Sequence, residues 1–183
     1  MIIIYSDSME KIEAVSQTKP LIYRLETLLW SVAFLTPLLV AGPQWLVGTM
    51  VNAYLFVGAV KLDKKNLLPL IFLPSIGALG HGVLFGPLTL FLIYFMPFIW
   101  LGNWVLVTIF SKLRKKTNQT VGLFVGTGVK ALVLFLAANV YVGFKIVPSI
   151  FLTAMGWVQL GTALLGGILA LSVLRFGLGY ERS

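Results

Sequence analysis

Apolar residues run through this chain in six blocks, at 22–41, 44–60, 67–79, 88–113, 120–144 and 148–175. Each block is closed by proline, glycine or a short cluster of charge, the residues that punctuate regular structure. Gly42-Pro43 separates the first two blocks, and Lys61-Leu62-Asp63-Lys64-Lys65-Asn66 the second from the third. The blocks read as helices, most of them long enough to cross a bilayer at 1.5 Å per residue. The third is the exception. It rises only about 20 Å against a hydrocarbon thickness of roughly 30 Å, and Pro69, Pro74 and Gly77 interrupt it.

Charge placement argues that this short block still crosses. With six crossings, Lys11, Lys19, Arg24, Lys61, Lys64, Lys65, Lys112, Arg114, Lys115, Lys116, Arg175 and Arg182 fall on one side, and only Lys145 on the other. That asymmetry follows the positive-inside rule, and losing the third crossing would move Lys112 to Lys116 across the membrane. The expected fold is an all-α integral membrane protein, a six-transmembrane-helix bundle with both termini cytoplasmic. A cytoplasmic segment spans 1–21, the bundle 22–176 and a cytoplasmic tail 177–183, and the expected location is a bacterial or archaeal cytoplasmic membrane.

Composition agrees. The chain of 183 residues is 58% hydrophobic and 11% charged, against about 25% charged residues in soluble domains. The net charge of +8 lies in short segments between apolar blocks, which points to lipid headgroups and topology rather than to nucleic acid. The start of the chain lacks the basic, apolar and small-residue succession of a secretory signal peptide. Zero cysteines exclude disulfides and thiolate chemistry. No H-E-x-x-H, G-x-S-x-G or paired intramembrane carboxylates occur, so neither a catalytic residue nor a metal site or cofactor is expected. Gly126-Thr127-Gly128-Val129-Lys130 lacks the spacing of a phosphate loop.

Lys130 is the exceptional residue, because it stands inside an apolar block. A cation at the centre of a membrane helix costs about 2.5–3.5 kcal/mol on insertion scales, so it normally faces protein or a watery cavity. Helix rise places Lys130 about 15 Å from the start of its block, near mid-depth, with Asn52 and Gln159 at comparable depths and Asn103 toward the cytoplasmic half. No acidic residue lies deep enough to pair with Lys130, since Glu26 stands near a helix end. These polar groups read either as a central cavity, with Lys130 binding an anionic or carbonyl group, or as interhelical hydrogen bonds used for packing. Snorkelling of Lys130 toward the headgroups is a further reading. Gln44, Trp45, His81 and Asn139 group at the opposite end as the mouth of a site, with Asn52, Lys130 and Gln159 deeper. Trp30, Trp100, Trp104 and Trp157 read as packing or as a stacking wall. Gly122, Gly126, Gly161, Gly166 and Gly167 mark faces of close helix approach.

The stretch Gly42-Pro43-Gln44-Trp45-Leu46-Val47-Gly48-Thr49-Met50-Val51-Asn52-Ala53, with Leu73-Pro74-Ser75-Ile76 and Gly86-Pro87, is similar to a pattern often seen in the S components of energy-coupling factor (ECF) transporters. The resemblance extends over about 25–175. It implies a membrane subunit that captures a small-molecule micronutrient at its outer face. Such a subunit works with a transmembrane coupling protein carrying two cytoplasmic ATPases. Many members carry an Ala-x-x-x-Ala surface on helix one. Here Ser31, Ala33 and Ala41 do not reproduce it, and Thr27-x-x-x-Ser31 is the nearest small-residue face. The alternatives are a small secondary carrier or channel, and a membrane scaffold or assembly protein without a small-molecule substrate.

Overall fold

The computed structural model describes residues 23–40, 43–82 and 90–176. The expected terminal segments and the Gly42 and Gly86-Pro87 turn residues lie outside the described residues. The described residues are mostly helical, with no strand among them. Helix α1 covers 23–39. It is followed by α2 (Gln44–Lys61), a 3-10 turn (Lys64–Leu67), α3 (Leu68–His81), α4 (Leu92–Lys116), α5 (Gln119–Gly143), α6 (Ile150–Met155) and α7 (Trp157–Phe176). Three elements are long and apolar enough to cross a membrane: α4, α5, and the α6–α7 pair taken together.

Helix α5 shows how the sequence pattern becomes packing. Asn118 caps its start, its side-chain oxygen accepting from the Val121 backbone N–H at 2.8 Å, which satisfies one of the donors a helix start leaves free. Leu123, Thr127, Lys130, Leu134 and Ala138 are all buried and recur every three or four residues, so they form one inward stripe. The opposite face carries Phe124, Leu132, Leu136 and Val140, all exposed. The inside of this helix is therefore more polar than its outside, the reverse of a water-soluble helix. Helix α7 repeats the arrangement, with Thr162, Gly166 and Ala170 inward and Leu165, Ile168 and Leu169 outward.

Helix α4 packs most extensively on α5, and α2 on α7. At the second contact, a Cβ on Gly166 would lie 2.6 Å from the Thr49 carbonyl oxygen and 2.7 Å from the Asn52 Cβ. Only glycine allows that approach, and the small residues of the last helix serve an internal contact there. Gly122 and Gly126 likewise face α4, whereas nothing approaches Gly128 or Gly161.

Two apolar clusters form the core. One joins α1, α2, α3 and the later turns of α4 and α7, with Phe56 and Phe110 edge to face at 4.8 Å. The other joins the start of α4, the end of α5 and α6, with Phe95 stacked on Phe151 at 5.0 Å. On α5, Leu123 belongs to the first and Leu134 to the second. Thr127 and Lys130 stand between them, so the polar layer separates two apolar ones.

Two expectations require correction. The block 148–175 is not one helix, because it breaks at Gly156 with φ −98° and ψ −98°. A Cβ there would lie 2.7 Å from the Leu152 carbonyl oxygen and 2.9 Å from the Phe135 ring. The fourth helix begins at Leu92 rather than at 88, which moves Asn103 to about 17 Å from the helix start and so to mid-depth. The third helix reaches His81, a little further than its apolar run suggests.

Candidate functional site

Lys130 is 3% exposed and does not snorkel. Its stem crosses α4 at Gly102, where a Cβ would stand 3.2 Å from Lys130 Cγ, so the missing side chain makes room for it. Its ammonium donates to Asn52 Oδ1 at 2.6 Å and to Asn103 Oδ1 at 2.8 Å. Three helices thus converge on one nitrogen. Both acceptors are neutral carboxamides, and each amide is itself held. Asn52 Nδ2 donates to the Gly48 carbonyl at 2.8 Å and weakly to Thr162 Oγ1 at 3.4 Å. Asn103 Nδ2 donates to the Ile71 carbonyl of α3 at 3.1 Å. These bonds settle which end of each amide faces the lysine, leaving the oxygens for it.

The buried carboxylate of Glu26 is not part of this group. It accepts from Asn66 Nδ2 at the turn before α3, and the Asn66 carbonyl accepts from Trp30 Nε1 at 2.9 Å. That set lies with Lys64 and Lys65 at the basic end of the bundle.

Lys130, Asn52 and Asn103 line a cavity of about 70 Å3, together with Gln44, Ser75 and Gln159. It is framed by the end of α1, the starts of α2 and α4, the later part of α3 and the α6–α7 junction. These are the ends away from the basic cluster. An ammonium has three donors, and two of Lys130's are taken, so one remains for an acceptor in the cavity. Ser75 is fixed from both sides, accepting from Trp100 Nε1 at 2.7 Å and donating to the Phe72 carbonyl at 3.0 Å. Gln44 Nε2 donates to the Ala154 carbonyl at 3.1 Å, tying the start of α2 to α6.

Of the seven residues expected at the site, the structure brings Gln44, Asn52, Lys130 and Gln159 to this cavity and leaves the other three outside its lining. Trp45 follows Gln44 on the helix but points outward, 59% exposed. His81 Nδ1 donates to the Leu38 carbonyl, which joins the ends of α3 and α1. Asn139 is exposed and bonds its own helix at Phe135 O, 2.8 Å away. No tryptophan lines the cavity, so the stacking wall is not formed there. Asn103, expected as one of the deep polar groups though not among the seven, completes the polar layer with Ser75 and Thr162, which were not expected there. Asn103 was legible as a deep amide but misplaced by the helix start. Thr162 offered only its position three residues after Gln159.

No group of histidine and carboxylate side chains suited to a metal ion occurs among the described residues. No family model, curated protein or solved structure matches the chain.

Proposed function

We propose that the chain is the substrate-binding membrane subunit of an uptake system for a small micronutrient, working with a separate ATP-driven coupling module. In this reading the bundle crosses the bilayer six times with both termini cytoplasmic. The outward apolar faces of α5 and α7 support the membrane setting. The short third crossing is helped by the turn before it. The 14 residues of α3 rise about 21 Å, and the turn Lys64–Leu67 before it carries lysines suited to the headgroup level.

The observation that carries the binding role is the buried Lys130 ammonium, held by two neutral oxygens and with a donor left for the cavity. Packing alone does not require a cation, and a charge at mid-depth is a costly way to join helices. A cavity of about 70 Å3 has room for about two waters or one small polar group, well below the several hundred Å3 of a whole drug-sized site. Recognition at Lys130 therefore concerns the anionic or carbonyl head of the substrate.

The test is mass spectrometry of small molecules and subunits that co-purify with the wild type and with Lys130→Met. A retained anionic or carbonyl compound, lost in Lys130→Met, together with a co-purifying ATPase module, is the expected result. Equal retention by the variant removes Lys130 from the site. Uptake into liposomes by the chain alone, without ATP, would instead make it a secondary carrier.

A further inference from the structure

A second and much larger crevice, of about 900 Å3, lies at the basic end between the end of α2, the start of α3 and the later turns of α4. Lys61, Lys64, Lys112, Arg114 and Lys115 line it, against a single carboxylate, Asp63. Its remaining wall is largely apolar, with Leu68, Ile71, Trp104 and Val107. Trp104 is half exposed and Leu68 nearly so.

Arg114 adds an independent observation. Its Nε is buried and has no hydrogen-bond partner among the described residues. Its Nη2 reaches only the Val60 carbonyl, at 3.5 Å. A buried guanidinium N–H without an acceptor is costly, and the planar edge of arginine suits two oxygens of one phosphate.

We propose that this crevice binds a phosphate-bearing headgroup, with the phosphate on Arg114 and the flanking lysines and any attached acyl chain along Leu68, Trp104 and Val107. The shared chemistry is a phosphate ester, supplied either by an anionic phospholipid or by a soluble phosphate. Basic pockets between membrane helices take such headgroups. The site is separate from the Lys130 cavity and stands without the uptake role.

The experiment is thermal unfolding of the purified full-length chain in detergent, titrated in three arms: phosphatidylglycerol, phosphatidylcholine with the same acyl chains, and inorganic phosphate. It is repeated with Arg114→Gln, with Lys112→Gln/Lys115→Gln, and with Lys145→Gln at the opposite end as control. The expected result is stabilisation by phosphatidylglycerol over phosphatidylcholine, weakened about fivefold or more in both crevice variants and unchanged in Lys145→Gln. Stabilisation by inorganic phosphate with the same variant pattern supports the site and identifies the soluble source. Should Arg114→Gln fail to fold, the exposed double-lysine variant decides alone. Equal response to the two lipids with no response to phosphate overturns the proposal, as does a preference that the crevice variants leave intact.

Discussion

Replacing Asn52 by leucine should destabilise the protein more than replacing Lys130 itself, and removing both should restore part of the loss. In Lys130→Met, the Asn52 and Asn103 oxygens lose their donor, at about 1–3 kcal/mol each. The same change relieves the burial of a charge, worth about 2.5–3.5 kcal/mol on insertion scales. The two effects are comparable, so the net change is small. Asn52→Leu brings no such relief. The ammonium stays buried with Asn103 as its remaining partner, and losing a hydrogen bond to a charged group costs about 1.5–3 kcal/mol. In Lys130→Met/Asn52→Leu only the Asn103 oxygen is left unpaired, and the charge is gone. The assay is unfolding of the ligand-free protein in detergent, followed by tryptophan fluorescence. At about 2–4 °C per kcal/mol for a chain of this length, Asn52→Leu should melt roughly 3–12 °C below the wild type, and the double variant above Asn52→Leu. A double variant no more stable than Asn52→Leu, or Asn52→Leu no less stable than Lys130→Met, would show that the amide does not solvate the lysine.

Other substitutions probe the frame around this layer. Gly166→Ala places a methyl 2.6–2.8 Å from the α2 backbone and Asn52, and should cost about 1–3 kcal/mol in the same melt. Ser75→Ala takes the acceptor from Trp100 Nε1, which should lower stability by about 1 kcal/mol and shift Trp100 emission; an unchanged spectrum would contradict the bond. Asn139→Ala removes only an exposed bond within its own helix, so stability should stay within about 0.5 kcal/mol. Small-molecule retention should also be unaffected, and its loss would return Asn139 to the site.

What the sequence made legible follows from what each signal measures. A lysine in an apolar block announces its own burial, because the cost of exposing it to hydrocarbon holds whatever the partners are. Depth along a helix was equally readable where the block began close to the helix, as at 120 for α5, which starts at Gln119. The fourth block was started four residues early, which displaced Asn103 by about 6 Å. Direction around the helix was harder. Gln44 and Trp45 are neighbours in sequence, yet one lines the cavity and the other points outward, since successive helical residues are turned about 100° apart. His81 and Asn139 were grouped with them by nearness to the same bundle end, which carries no information about facing. The break at Gly156 was hidden among the other glycines of the block, and its backbone conformation, φ −98° and ψ −98°, distinguishes it.

The order in which the Lys130 partners occur along the chain bears on biosynthesis. A nascent chain enters the membrane from its N-terminus, so residues 52 and 103 are made before residue 130. On the proposed six-crossing reading, both oxygens that accept from its ammonium would belong to helices inserted before α5 emerges, and the lysine would not have to wait in lipid for a later segment. The groups that follow, Gln159, Thr162 and Gly166, are polar but uncharged or small. Moving α2 behind α5 by circular permutation would place Asn52 after Lys130, while Asn103 would still precede it. The permuted chain should insert α5 less efficiently than the natural one.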